Sequence, residues 1–278
     1  MKTDDVSPLL SIVIVNYNYG RFLEAAIRSV MDQNNPDVEL IVVDGGSRDE
    51  SVDIIKKYSA EISWWVSEPD KGQSDAFNKG FSHAKGKYLT WLNADDLLVP
   101  DCLRKIIHEV KTNPECEWFT GNLYRFTEDG RVIECVWGPN YLPKWLQSRM
   151  QPVAVYGPST IFTKELFDRV GGMKLYQNFM MDTDLWMRFI VAGVKQRRIN
   201  CFCWAFRMHL DSKTAEYGDH KLSPEQRARF EAERKQAIEE TGYRVSRLNH
   251  RLIQLWRLFD GSLVKSWRLK RSFKRVSY

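Results

Sequence analysis

Leu9-Leu10-Ser11-Ile12-Val13-Ile14-Val15-Asn16-Tyr17-Asn18 is the stretch that decides the fold. Residues 9–15 are an almost unbroken aliphatic run of strand length, the mark of a strand buried on both faces. The run stops at a polar turn that contains Asn18 and Gly20. Phe22, Leu23, Ala26, Ile27 and Val30 then recur at helical spacing. The same strand-turn-helix unit repeats outward from there. Residues 40–43 form a second buried strand that ends at Asp44-Gly45-Gly46, and 51–58 read as its helix. Residues 62–66 are a third strand. Residues 75–84 are a third helix, with Ala76, Phe77, Gly80 and Phe81 on one side. Residues 88–92 are a fourth strand, ending at Asn93-Ala94-Asp95-Asp96, and Pro100 opens another helix. Alternating β and α units predict an α/β fold, a mostly parallel central sheet with helices on both faces.

Beyond residue 110 the pattern changes. Residues 118–126 and 131–136 flank Thr127-Glu128-Asp129-Gly130, a hairpin signal. Residues 138–158 are irregular and rich in Pro, Tyr, Trp and Gln. A strand over 159–162 and a short helix over 164–170 follow, the helix closed by Gly171-Gly172. Residues 182–191 read as a helix and 195–206 as one or two strands. Ser223 and Pro224 start a last clear helix that runs to Gly242.

Composition narrows the class. A chain of 278 residues, 43% of them apolar, buries a core without disulfides or structural metal. Wholesale disorder is excluded by the same balance. No apolar run approaches the roughly 20 residues that span a bilayer. Residues 1–8 are polar and acidic, which is not the pattern of a signal peptide. The five cysteines, Cys102, Cys116, Cys135, Cys201 and Cys203, are odd in number and scattered. They read as reduced thiols in a cytoplasmic protein rather than as zinc pairs. The net charge of +5 hides an asymmetry: residues 244–278 carry +9 and the rest −4. An acidic body with a basic tail is a statement about partners.

In open α/β sheets ligands bind at the carboxyl ends of the strands. Three polar clusters fall at such ends: Asn16-Tyr17-Asn18, Asp44-Gly45-Gly46-Ser47 and Asn93-Ala94-Asp95-Asp96. Each alone reads equally well as helix caps and turn residues. Three at successive strand ends point to one cleft, where Asp44 can accept from a nucleobase and Asp95 or Asp96 can hold a divalent cation.

At these residues the chain resembles the family-2 glycosyltransferases of GT-A fold. The resemblance rests on residues 11–18, 41–51, 72–80, Trp91-Leu92-Asn93-Ala94-Asp95-Asp96, Val170-Gly171-Gly172, 181–188 and Arg207-Met208-His209. These appear in the family's order across roughly residues 9–215. It implies a GT-A domain over 1–221, with a nucleotide half at about 9–100 and an acceptor half at about 101–221. Residues 222–278 are then a helical, basic and amphipathic extension.

The resemblance also implies roles. Asn16, Tyr17, Asp44, Asp75, Asn93 and Ala94 match positions at the donor nucleotide. Asp95 matches the metal-binding acid of an Asp-x-Asp motif, for Mn²⁺ or Mg²⁺, and His209 a second contributor there. Asp182 matches the catalytic base of a Glu-Asp motif. Two positions depart from the family pattern: Asn93 stands where Asp is common, and Met181 where Glu is common. Asp184 competes with Asp182, but the two lie about 200° apart around a helix and cannot share one cleft. Asp182 is the expected base. Trp137, Tyr141, Trp145 and Gln151 are candidates for the acceptor site, since aromatic faces and amides suit sugar rings. The segment 157–160 is placed near the acceptor or donor sugar. The remaining histidines, 83, 108, 220 and 250, show no ligand spacing.

The implied activity is inverting, metal-dependent transfer of a hexosyl group from a UDP-, GDP- or dTDP-sugar to a glycan or lipid-linked hydroxyl, in cell-surface polysaccharide synthesis. The implied location is cytoplasmic, peripheral at the inner membrane face. In residues 244–278 ten bases alternate with Leu, Trp and Phe. That pattern suits an anionic membrane surface, or packing on the body or a second subunit. No nucleic-acid motif accompanies it. A nucleotidyltransferase is the alternative enzyme, and a glycan- or lipid-binding protein on a decayed fold the non-catalytic one. The single glycine in residues 16–21 argues against a dinucleotide dehydrogenase and against a Gly-rich phosphate loop.

Overall fold

The computed structural model describes residues 7–138, 157–177, 179–212, 223–242, 252, 255–272 and 275–276. Its centre is a nine-stranded sheet. The first half is the repeating unit read from the sequence: β1 (Leu10–Asn16), α1 (Gly20–Met31), β2 (Val38–Asp44), α2 (Ser51–Lys57), β3 (Trp64–Ser67), α3 (Gln73–His83) and β4 (Tyr88–Asn93). These four strands lie parallel, in the order β3-β2-β1-β4.

β1 is central, and every residue in it is buried. Its alternation divides two cores. Leu10, Ile12 and Ile14 face α1, α2 and α4 (Cys102–Thr112), whereas Val13 and Val15 face α3 and the helices beyond it. Helices thus cover both faces, which is why the strand carries no polar alternation. Gly80 lets α3 settle on β1, because a Cβ there would overlap Val13.

The second half is mixed. β5 (Leu97–Leu98), β6 (Trp118–Thr127), β7 (Val132–Val136), β8 (Thr160–Thr163) and β9 (Arg197–Met208) extend the sheet past β4. β8 joins β4 to β6 by antiparallel pairs, β6 runs parallel to β9, and β5 and β7 pair antiparallel with β9 and β6. Residues 195–206, read as one or two strands, belong to the single strand β9. The helix expected to open at Pro100 starts two residues later. Asp101 caps it in a left-handed conformation, φ 62°, which Asp tolerates better than most residues.

α5 (Lys164–Arg169) and α6 (Met181–Val191) close the second core. α7 (Pro224–Thr241) begins with a reciprocal Ser223–Gln226 capping box. It packs Ala237 against Met187 of α6, and its Glu233 accepts the Phe179 N–H at 2.8 Å. α8 (Ser262–Ser272) lies on β7. Its Ser266 hydroxyl accepts the Trp137 N–H at 2.9 Å, and Lys265 sits 3.7 Å over the Trp137 ring. Outward it leaves Val264 and Trp267 exposed, and Leu255, Leu258 and Phe259 are exposed just before it. No helix among the described residues is long and apolar enough to cross a membrane.

Candidate active site

The β1 and β2 ends are stitched together by polar side chains. Asp44 is fully buried and saturated. Its Oδ1 accepts from Asn16 Nδ2 at 2.6 Å and Ser47 Oγ at 2.5 Å. Its Oδ2 accepts the N–H groups of Gly46 and Ser47, at 3.2 and 2.9 Å, and Ser67 Oγ at 2.6 Å. Asn16 gives its second amide hydrogen to Ser47 Oγ at 3.1 Å. That leaves Asn16 Oδ1 buried with no hydrogen-bond partner among the described residues. Asn18, at φ 55°, accepts the Arg48 N–H at 2.9 Å and so docks the first turn on the second.

The β4 end places two acids in unlike settings. Asp96 is fully buried and accepts the Arg207 N–H at 2.9 Å and Asn93 Nδ2 at 3.0 Å. Burial, and then the charge of Asp95, push its carboxyl well above the usual carboxylate range. Asp95 faces the cavity and meets His209 Nε2 at 3.0 Å. His209 is boxed between the Tyr19 and Phe22 rings, and its Nδ1 has no partner among the described residues. The nearby Tyr19 hydroxyl is pushed up to about 12 by burial, then by Asp95. Asp95 presents its carboxylate to the cavity, and the His209 side chain, which has no exposed surface, backs it from behind. No cluster of three or more His, Cys, Asp or Glu that could hold a metal occurs among the described residues. Asp95 therefore fits an ion completed by ligand oxygens and water, not a closed protein cage.

α6 brings in the opposite wall. Trp186 stacks between Trp91 and Trp118, with ring centroids 5.5 and 5.9 Å away. This stack and α7 fix the helix whose first turn carries Asp182. Asp182 borders the cavity and accepts the Thr183 N–H at 2.6 Å. Asp184 points away from it, fully buried and paired with Arg188 at 2.7 Å. Burial raises its carboxyl and Arg188 opposes the rise.

A cavity of about 770 Å³ gathers Asn16, Tyr17, Asn93, Ala94, Asp95 and Asp182, together with Gly157 and Pro158. It does not gather the other expected residues. Asp44 lies beneath it. Asp75, half-buried in the first turn of α3, accepts the Lys71 N–H at 3.0 Å and is not part of the cavity lining. His209 stands behind Asp95. Trp137 is 6% exposed and packs on Phe202 beneath α8, so the structure gives it a core position away from the cavity. Tyr141, Trp145 and Gln151 lie outside the described residues.

The cavity also recruits Asp70, Gln73 and Arg125, which the sequence reading passed over. Asp70 follows the end of β3, so the strand-end rule that marked the other clusters would have found it. A hollow of about 940 Å³ between Pro8, Lys87 and Arg169 lies at the opposite ends of the strands, where sheets of this kind do not bind ligands.

Residues 11–181 match the glycosyl transferase family 2, and the chain belongs to that family. It is a glycosyltransferase by family and a GT-A-type α/β protein by fold. An uncharacterized glycosyltransferase of Nostoc sp. is 37% identical over 107 residues, which is 37% of this chain and 33% of that one. The chain is 27% identical over 210 residues to the Escherichia coli protein WfaP, covering 74% of this chain and 80% of that one. WfaP is named a UDP-Glc:α-D-GlcNAc-diphosphoundecaprenol β-1,3-glucosyltransferase. The chain thus spans about a third of the length of the Nostoc relative. Among solved structures, residues 1–349 of Staphylococcus aureus TarS superpose with a TM-score of 0.61 at 13% identity, covering 84% of this chain and 81% of that one. TarS has been solved with UDP and with UDP-GlcNAc.

Proposed function

We propose that the chain is an inverting, metal-assisted hexosyltransferase. It moves a sugar from a nucleoside-diphosphate donor to a hydroxyl of a glycan or lipid-linked acceptor, in the assembly of a cell-surface polysaccharide. The observation that carries this reading is the convergence of Asn16, Tyr17, Asn93, Asp95 and Asp182 on one cavity. The TarS complexes support a nucleotide-sugar donor, and the WfaP name supports a lipid-linked acceptor.

Asp182 is the base in this reading. It accepts the proton of the acceptor hydroxyl while that oxygen bonds to the anomeric carbon. The bond from this carbon to the donor phosphate breaks, and the nucleoside diphosphate leaves with the electron pair. Its position on the cavity wall supports Asp182 over the ion-paired Asp184. A Mn²⁺ or Mg²⁺ ion held by Asp95, with His209 supporting that carboxylate, would neutralise charge on the leaving diphosphate. The test is a transfer assay with UDP-, GDP- and dTDP-sugars, lipid-diphosphate or glycan acceptors, and Mn²⁺, Mg²⁺ or chelator. One donor should be turned over with inversion at the anomeric carbon, and chelator should stop it. Glycan binding without turnover of any donor would instead mark a binding protein on this fold.

In the same reading the basic tail attaches the protein to the cytoplasmic face of a membrane. The support is that Leu258, Phe259 and Trp267, 54%, 82% and 55% exposed, belong to the same basic segment as Arg268, Lys270 and Arg271. Apolar side chains interleaved with bases suit an anionic bilayer surface. Full-length protein should pellet with phosphatidylglycerol vesicles and not with phosphatidylcholine, and the Phe259→Ser, Trp267→Ser double variant should not pellet. Self-association without vesicle binding would assign the patch to a second copy.

A further inference from the structure

We propose that Arg125 selects the acceptor. It binds an oxyanion that the acceptor carries beside the sugar to be extended, either the diphosphate of a lipid-linked sugar or the carboxylate of a uronic acid. The inference rests on the transferase reading above and extends it to acceptor specificity.

Arg125 reaches the cavity from the second half of the sheet. β6 and β9 run parallel there, with Leu123 beside Trp204 and Arg125 beside Phe206. All four line the cavity. Tyr124 and Phe126 turn to the other side of β6 and pack with Phe202 in a separate core. The β6–β7 pairing shifts register directly after Arg125, and a bulge of this kind re-aims the side chain next to it. Leu123, Trp204 and Phe206 thus form an apolar floor with a guanidinium beside it, 5.8 Å from the Phe206 ring centroid. An apolar, aromatic floor suits the C–H face of a sugar ring.

The charges at the cavity single Arg125 out. Asp70, Asp95 and Asp182 line it as acids, and no lining residue among those described carries a positive charge besides Arg125. Its own ion pair is partial. Nη1 donates to Glu134 Oε2 at 2.8 Å across the β6–β7 pair, and Glu134 is exposed and not part of the cavity lining. Nε is buried with no hydrogen-bond partner among the described residues. Nε and Nη2 lie on one edge of the guanidinium, the fork that grips two oxygens of a phosphate or carboxylate. The bond to Glu134 uses the other edge and leaves that fork uncommitted among the described residues. In the donor reading, the strand ends of the first half and an ion at Asp95 receive the nucleoside diphosphate. The anion left for Arg125 is then one on the acceptor. WfaP, 27% identical to this chain, is named for an acceptor with a diphosphate on its GlcNAc.

Transfer assays on the full-length chain test this with matched acceptors, each offered with UDP-, GDP- and dTDP-sugars. One pair is an alkyl glycoside against the alkyl diphosphate ester of the same sugar, with glucose, galactose or GlcNAc as that sugar. The other is an oligosaccharide ending in glucuronic acid against its methyl ester. Wild type should prefer the charged member of one pair, and that pair names the source of the oxyanion. Arg125→Met should lower the preference, as a ratio of kcat/KM, by ~10–100-fold through acceptor KM, the loss of a hydrogen-bonded charge pair. Arg125→Lys keeps the charge without the fork and should lose most of the preference. The Arg125→Glu, Glu134→Arg double variant keeps the cross-strand ion pair and reverses the charge at the cavity. Its thermal unfolding should stay near wild type while the charged acceptor is rejected. Equal use of charged and neutral acceptors by wild type, or recovery of the preference in the double variant, would overturn the assignment. So would weaker nucleotide binding in Arg125→Met, by calorimetry, with acceptor KM unchanged, which would move Arg125 to the donor diphosphate. Each of these leaves the transferase reading standing. Turnover of no acceptor with any donor would remove that reading and the assignment with it.

Discussion

The two walls of the cavity hold their key groups by different means. On the wall made by the ends of β1, β2 and β4, polar side chains are fixed by hydrogen bonds to one another and to the backbone: Asn16 to Asp44, Asn18 to the Arg48 N–H, Asn93 to Asp96. On the α6 wall, the first turn that carries Asp182 stands on stacked rings, with Trp186 between Trp91 and Trp118. A hydrogen-bonded wall loses its geometry group by group, because each donor is tied to a particular acceptor. A wall that stands on packing shifts as a unit when its support is cut. Substitutions in the first should therefore show as altered ligand affinity, and those beneath the second as altered turnover and stability.

The sharpest way to test that division is Asp182→Asn. The change keeps the shape of the side chain and removes its ability to accept a proton. Turnover should fall by ~10²–10⁴-fold, the usual range for a lost general base. Donor affinity, measured by calorimetry, should stay within about twofold, since the donor is held by the other wall. Wild-type turnover in this variant would take Asp182 out of the mechanism.

The next effect is on the support itself. Trp186 is 1% exposed, and Trp186→Ala would open a cavity between two indoles. Loss of a large buried aromatic destabilises by about 3–5 kcal/mol. Urea unfolding should show this loss, and turnover measured well below the transition should fall while donor affinity holds. Trp186→Phe keeps a ring in the stack and should recover most of both. Equal loss of donor affinity in Trp186→Ala would show that the walls are not independent.

The contrast also explains what could be read from the sequence. The first wall was legible because each of its groups ends a buried strand, and strand ends are marked by an abrupt change from aliphatic to polar residues. Residues 9–18 announce both β1 and Asn16. What that rule does not tell is whether a strand-end acid faces the cavity or the chain. Asp44 turns to internal donors, as does Asp75 in the first turn of α3, and this depends on Ser47, Ser67 and the Lys71 amide, which no spacing reveals. On the second wall the helix was legible from its spacing, but the role of Asp182 only through family resemblance. Aromatic residues such as Trp137 have the same composition signal in a sugar site and in a core. Here the seat beneath α8 decided for the core, and that contact joins residues 129 positions apart.

The smallest expected effect probes the seam of the first wall, where Asp95 and Asp96 are neighbours. The Asp96 carboxyl is raised first by burial and second by the charge of Asp95. In the unfolded chain it titrates near the ordinary value of about 3.9. Between that pH and its folded value, the folded state binds more protons than the unfolded state. Stability from this group is therefore complete below the unfolded value and declines as pH rises toward the folded one. Asp95→Asn removes the second cause and leaves the first. The carboxyl ¹³C titration of Asp96 should then move to lower pH but remain above the usual carboxylate range. A cation bound at Asp95 should move it in the same direction by adding positive charge beside it. An unchanged titration in Asp95→Asn would mean that burial alone sets the proton on Asp96. The hydrogen bonds from Arg207 and Asn93, not charge from the cavity, would then define this end of the wall.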